Sequence, residues 1–234
     1  MNGRPFFIPA RIRGTEYLDD AHVDCALSLR SLRDVRLANR FFGGSAAVIA
    51  ELRCVLGRDP ARELSLLDVG TGAGDIPLAA RRVAATMGVT LRTVGMELSG
   101  TLAAAARAHC TETVAGDARR LPFGSKSVDI VTCSQVLHHF ADDEAIDLLR
   151  ELHRVARRAV IIGEIRRSWF AAAGLWLASW PLGFHPVSRH DGVVSVLRGY
   201  RIPELGALVR AATGADAQVQ DRFGFRVTAR WRPA

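Results

Sequence analysis

Lysine is nearly absent from this chain: Lys126 stands alone, and arginine supplies the rest of the 31 basic residues. Against 24 acidic residues the formal net charge is +7. Such an excess raises nucleic acid or an anionic membrane as a partner. A block of like charges that would serve as a nucleic-acid-binding arm is missing, however, and the excess is spread along the chain. Also missing is any C-x-x-C pair among Cys25, Cys54, Cys110 and Cys133, so neither a zinc site nor a dithiol redox motif is signalled. The expectation is reduced, buried thiols in a cytoplasmic protein. The N-terminus, broken by Arg4, Pro5, Pro9, Arg11 and Arg13, lacks the apolar core of a secretory leader. Internal repeats and low-complexity linkers are absent too.

What is present is enough for a core. The chain has 234 residues, 49% hydrophobic and 24% charged, which excludes a disordered chain and suits one domain, or one domain with a cap. Residues 15–58 read as helical. Asp19 and Asp20 open a first helix through Leu27, Leu32 and Leu37 to Phe41–Phe42, and Gly43–Gly44 stop it. Ser45 caps a second helix with Val48, Ile49, Leu52, Val55 and Leu56 on one face. Residues 1–60 are expected to form a helical cap on a domain spanning 61–234.

From residue 64 strands and helices alternate. Strands are expected at Leu64–Val69, Leu91–Met96, Thr113–Ala115, Ser127–Cys133 and Val160–Ile165. Helices are expected at Ile76–Met87, Gly100–His109 and Asp142–Ala156. Alternation of this kind means βαβ units and a parallel, doubly wound sheet. It breaks down after residue 165. Ser168–Leu182 is apolar and holds three of the four tryptophans. Pro203–Ala212 reads as a helix, and Ala217–Asp221 with Phe225–Trp231 as a terminal hairpin across Phe223–Gly224.

The sharpest motif is Asp68-Val69-Gly70-Thr71-Gly72-Ala73-Gly74-Asp75, between a strand and a helix. Ligands of open α/β sheets sit at such carboxyl ends. A dinucleotide fingerprint would need glycine where Asp75 stands, and a carboxylate at a helix start repels pyrophosphate. A P-loop is excluded, because no Gly-Lys-Ser/Thr follows. The loop therefore favours a ligand without phosphate, with a cationic amino group that Asp68 or Asp75 meets directly or through water. Glu97, at the end of the second strand, stands where a carboxylate accepts from both ribose hydroxyls. Asp117, in Gly116-Asp117-Ala118, can accept from an adenine amino group. An amino acid, a ribose and an adenine without phosphate describe S-adenosylmethionine.

At this point the chain resembles the class I S-adenosylmethionine-dependent methyltransferases. The resemblance is carried by residues 66–75, Glu97, Gly116-Asp117-Ala118, Leu121-Pro122-Phe123, residues 127–140 and residues 148–155, in the expected order over roughly residues 64–165. It implies a Rossmann-like, seven-stranded, mostly parallel sheet with a terminal antiparallel hairpin. Residues 32–44, and Arg189-His190-Asp191-Gly192, are similar to the ubiquinone/menaquinone-biosynthesis-like branch, some of whose members methylate phenols, quinones or polyketides of secondary metabolism. The implied activity is methyl transfer from S-adenosylmethionine to a small aromatic, quinone-like or polyketide-like acceptor, with S-adenosylhomocysteine as product and no metal.

The cofactor residues expected on this basis are Asp68, Gly70, Thr71, Gly72, Gly74, Asp75, Glu97, Leu98, Asp117, Ala118, Ser134 and Gln135. Ser134 and Gln135 fit contact with the methionine moiety, or plain turn chemistry. His138 and His139 fit a base that deprotonates the acceptor, or a helix cap and a packed ring. His190 fits a base oriented by Asp191, or a surface turn before Gly192. Asp129, inside its strand, is expected to be structural. Residues 168–202 are expected to form a hydrophobic lid over the acceptor. Arg166–Arg167 before the stretch and Pro181 within it argue against a spanning helix, and leave peripheral membrane contact as a second role. The rival activities are RNA or protein methylation, supported only by net charge, and a non-catalytic cofactor-binding scaffold. The Asn/Asp-Pro-Pro-aromatic motif of base-amine methylation is absent, and Ser134-Gln135-Val136-Leu137 stands in its place.

Overall fold

A computed structural model describes residues 8–20 and 24–234. Arg4, Pro5 and the Cys25 thiol lie outside the described residues and side chains. Seven strands are β1 (Glu63–Val69), β2 (Thr90–Glu97), β3 (Glu112–Ala115), β4 (Val128–Ser134), β5 (Ala156–Ile165), β6 (Gln218–Arg222) and β7 (Arg226–Trp231). They form one sheet in the order β3-β2-β1-β4-β5-β7-β6. The first five run parallel, and β7 pairs antiparallel with both β5 and β6. The order reverses between β1 and β4, and that switch point places the crevice.

Among the described residues, eight α-helices accompany the sheet: α1 (Cys25–Phe41), α2 (Gly44–Leu56), α3 (Asp75–Thr86), α4 (Gly100–Ala105), α5 (Asp142–Val155), α6 (Trp169–Ser179), α7 (Pro186–Arg198) and α8 (Ile202–Thr213). Both sheet faces are covered, so successive strand residues serve opposite cores. Leu66, Ile130 and Ile161 pack with Val48, Leu52 and Ile76 of α2 and α3. Leu67, Val131 and Ile162 pack with Leu148, Leu149, Leu205 and Val209 of α5 and α8.

Several expected boundaries move. Asp24, not Asp19 or Asp20, caps α1, accepting from Ala26 N, and Tyr17–Asp19 is a separate single turn. Gly43, at φ +73°, precedes α2 where Ser45 was expected to cap, because the reversal between α1 and α2 needs a left-handed residue. Within residues 1–60, the chain before Gly43 lines the crevice, while α2 buries Val48, Leu52 and Leu56 against β1 and β4. Residues 186–198 form a helix, so Gly192 sits within α7 rather than after a turn.

Candidate active site

The carboxyl ends of β1, β2 and β4 open into a cavity of about 820 Å³. Its floor is the loop after β1, with Gly70, Thr71 and Gly72; its far wall is Leu32, Val35 and Arg36 of α1, with residues 11–19. Gly70, Gly72 and Gly74 all have positive φ. They do so for different reasons. A Cβ on Gly70 would meet Val136 at 2.3 Å, and one on Gly74 would meet His109 at 2.8 Å, so these two answer to protein packing. Gly72 alone has open space, with Leu32 at 3.7 Å, and leaves room for a ligand.

Asp68, expected at the ligand, lies behind the loop and off the cavity wall. Its carboxylate accepts from Thr71 Oγ1 at 2.8 Å and Thr132 Oγ1 at 2.7 Å. Burial, reinforced by the charges of Glu97 and Asp75 against those two hydroxyls, pushes its pKa up to about 7. It supports the loop rather than reaching a ligand directly. Gly74 is likewise off the wall. Asp75 lines the cavity and pairs with Arg36 at 3.1 Å, joining α3 to α1.

Glu97 reaches across to the loop. Its Oε1 accepts from Gly72 N at 2.5 Å and its Oε2 from Leu98 N at 3.3 Å. Burial raises its pKa, partly offset by these two amides. Leu98 is an exposed lip, and Asp117 and Ala118 complete that end. Asp117 is bound by Arg119, whose guanidinium continues to Glu144, and this partner holds the Asp117 carboxyl below its usual range.

At the other end stand Ser134, Gln135, His138 and His139. Gln135 has φ +58°, a conformation a side chain bears only when its surroundings impose it. They do: its N–H donates to Gly163 O at 2.7 Å, Asn39 Oδ1 accepts from its Nε2, and Arg226 donates to its Oε1 at 2.8 Å. His138 is buried, and its Nδ1–H donates to Glu164 Oε2 at 2.8 Å. Burial alone would raise the Glu164 carboxyl, but His138, the Ile165 amide and His139 outweigh it and hold it below its usual value. The ionised carboxylate fixes the His138 tautomer and turns Nε2 to the side of Glu16, 3.8 Å away at the cavity wall.

His139 takes a different role. Its Nδ1 donates to Asp19 Oδ1 at 2.6 Å. Burial opposes the charged ring, yet Asp19 and Glu16 raise its pKa overall. Arg198 of α7 binds Asp19 Oδ2 at 2.7 Å, Glu16 Oε1 at 3.3 Å and His139 O at 2.7 Å. Residues 11–19 are thereby strapped over the cavity. His190 is elsewhere. It pairs with Asp191 at 2.9 Å as expected, but on a face of α7 that does not line the cavity. Asp191 accepts from Tyr17 N and Leu18 N, both at 3.0 Å, and so anchors the strap. Asp129 is structural, binding Ser65, Arg157 and Arg158.

Glu16, Asp19, Glu164, Arg198 and Arg226 are site residues that motif reading passed over. Glu164 was within reach, since it ends a strand on the same sheet edge as Asp68 and Glu97. The others depend on long-range packing.

The fold and the crevice define a doubly wound α/β protein with carboxylates at the carboxyl ends of its strands and a buried imidazole beside them. Residues 67–162 match the family model of a methyltransferase domain. The segment, 96 of the 234 residues, is thus similar to methyltransferase domains, and the cofactor to be tested against the crevice is S-adenosylmethionine. A demethylmenaquinone methyltransferase of Mycobacterium tuberculosis is 38% identical over 96 residues, which is 40% of this chain and 40% of that protein. The chain thus aligns with well under half the length of the curated relatives it matches. Among solved structures, a SAM-dependent methyltransferase from Aquifex aeolicus has a TM-score of 0.61 at 15% identity, covering 91% of this chain and all of that one. A magnesium protoporphyrin IX methyltransferase from Synechocystis with bound SAH has a TM-score of 0.56 at 17% identity, covering 92% and 90%.

The residues present fit that cofactor. Open space at Gly72, a carboxylate at Glu97 within a bond of the loop, and the polar end at Asp117 form one continuous wall.

Proposed function

We propose that this chain transfers a methyl group from S-adenosylmethionine to a small aromatic, quinone-like or polyketide-like acceptor. The observation that carries the reading is the single cavity joining the Gly72–Glu97 wall to the His138–Glu164 pair. The demethylmenaquinone methyltransferase relative supports the acceptor class. When bound, S-adenosylmethionine supplies an electrophilic methyl carbon on a sulfonium, so no covalent help from the protein is required.

The chain's residues orient and exclude water. Glu97 would accept from the ribose hydroxyls, Asp117 and Ala118 would border the adenine, and Ser134 and Gln135 would hold the methionine part. Thr71, Gly70 and Leu98 shape the wall. Asp68, Gly74 and Asp75 hold the loop that presents Gly72. In-line displacement needs donor and acceptor held in register, and such positioning can supply ~7–11 kcal/mol. His138 takes the proton of an acceptor hydroxyl at Nε2, with Glu164 stabilising the imidazolium. His139, bonded to Asp19, latches the strap. Residues 168–202, with the chain before Gly43, close the acceptor side.

The test is a screen with labelled cofactor against phenols, quinones and polyketide-like acceptors. Label transfer to one of these classes is expected. Binding of S-adenosylhomocysteine with no transfer to any of them, but transfer to RNA or protein, overturns the acceptor class.

A further inference from the structure

The helix α6 leaves its larger side chains in water. Its inner flank packs Ala172 and Leu175 against Val193 and Val196 of α7. Its outer flank carries Trp169, Phe170, Trp176, Leu177 and, just past its end, Trp180, between 46% and 62% exposed. At 100° per residue these five positions fall within an arc of about 120°, one apolar face. No Asp, Glu, Lys or Arg occurs between Arg167 and Arg189. Contiguous exposed patches of this sort mark an interaction site.

Three features select the occupant. The first is composition, since tryptophans clustered on one apolar helix face are the pattern of helices lying in a bilayer interface. The second is charge. Arg189 stacks over Trp180 at 3.6 Å and donates to Ser179 Oγ and Phe184 O, with no carboxylate partner among the described residues. Arg30 and Arg33 are exposed on α1, next to Ser31 and Asp34, which bind Ser188 and His185. The nearby carboxylates are turned inward: Asp34 accepts from His185 N, and Asp191 from the strap. The charge shown directly against the rings is that of Arg189. The third is what lies beneath. An apolar cavity of about 160 Å³, lined by Phe170, Gly174, Leu175, Phe184 and Phe225, reaches Gln135, which also lines the large cavity. A second copy of the chain would cover the face but leave that passage without a purpose.

We propose that the outer face of α6 docks on an anionic lipid surface, with the passage beneath it open to apolar acceptors taken from that surface. The docking stands on α6 itself; only the use of the passage rests on the methyltransferase reading. The helix does not cross the bilayer. Its 11 residues span about 17 Å, against a hydrocarbon core of ~30 Å.

The test mixes the full chain with vesicles of phosphatidylcholine alone and of phosphatidylcholine with phosphatidylglycerol. Trp231 is buried in the core, so tryptophan emission reports mainly on α6. Expected results are co-sedimentation with the anionic vesicles, loss of binding at high salt, and quenching by bromine-labelled acyl chains. The double variant Trp176→Ser, Leu177→Ser is expected to lose partitioning roughly tenfold or more. It should keep its melting temperature and its affinity for S-adenosylhomocysteine. A wild-type chain that stays in the supernatant overturns the proposal. So does a double variant that binds equally well. A wild-type dimer that this variant turns into a monomer assigns the face to a second copy instead. Failure of every acceptor in the labelled-cofactor screen leaves vesicle binding untouched, so the two readings fail separately.

Discussion

At the scale of the residue, burial separates two histidines that are neighbours in the chain. His138 has its Nδ1 on a fully buried carboxylate and its Nε2 toward the cavity wall, whereas His139 is tied to Asp19 and Arg198. Replacing His138 with Gln is expected to lower kcat by roughly two to four orders of magnitude if it is the base. Affinity for S-adenosylhomocysteine should change little. The measurements are steady-state kinetics and calorimetric titration. Asp68 offers a test on stability. It is an acid whose native pKa, about 7, exceeds its unfolded value. The native state therefore holds a proton that the unfolded chain gives up from ~pH 4 upward, and stability falls as pH rises from ~4 to 7. Asp68→Asn should remove that slope, raising stability above pH 7 by an amount on the order of 4 kcal/mol. Denaturant unfolding at pH 5 and pH 8 checks it.

At the scale of the element, motif spacing reads what is local and misses what is contributed across the chain. The glycine loop, Glu97 and the strands around them follow from neighbours within one βαβ unit. The strap does not. Its Glu16 and Asp19 meet Arg198 about 180 residues later, and no short window holds that pairing. For His190–Asp191 the sequence left an oriented base and a surface turn open, and it is tertiary packing that turns Asp191 to Tyr17 and Leu18. The strap also has a pH signature. The Asp19 pKa is lowered and the His139 pKa raised. The Asp19 contribution is present above its unfolded value of ~3.9 and fades as pH falls below it; the His139 contribution is present below ~6.5 and is lost as pH rises through its native value. Hydrogen exchange over residues 11–19 should be slowest between these limits, and His139→Gln should flatten the alkaline arm. A second device joins α2 to the hairpin. The carboxylate of Glu51, fully buried, accepts from Arg222 at 2.6 Å, Thr228 at 2.6 Å and Arg230 at 3.0 Å. Glu51→Ala leaves two arginines facing the gap, and should cost about 3–5 kcal/mol in equilibrium unfolding.

At the scale of the whole molecule, the basic excess finds its place. Of the arginines, many are spent inside the fold: Arg226 on Gln135, Arg198 on the strap, Arg167 on Glu204, Arg230 on Glu51. Guanidinium suits such buried and bidentate duty better than an ammonium. The near-absence of lysine thus leaves a positive surface only in places, and the α6 region is one of them. The parallel sheet was legible because strand and helix alternate up to β5 and because its central strands are apolar on both faces. The roof was not, because α1, the strap and α7 are set by contacts between distant segments. What all these parts serve is one crevice, and its central claim is that Glu97 holds the nucleoside of an S-adenosyl ligand. The most direct measurement is calorimetric titration of S-adenosylhomocysteine into the full chain and into Glu97→Ala at matched melting temperature. Saturable binding by the wild type, weakened about tenfold or more (~1.4 kcal/mol or more) in the variant, is the predicted result. Equal affinity in the two proteins, or no binding by either, would contradict it.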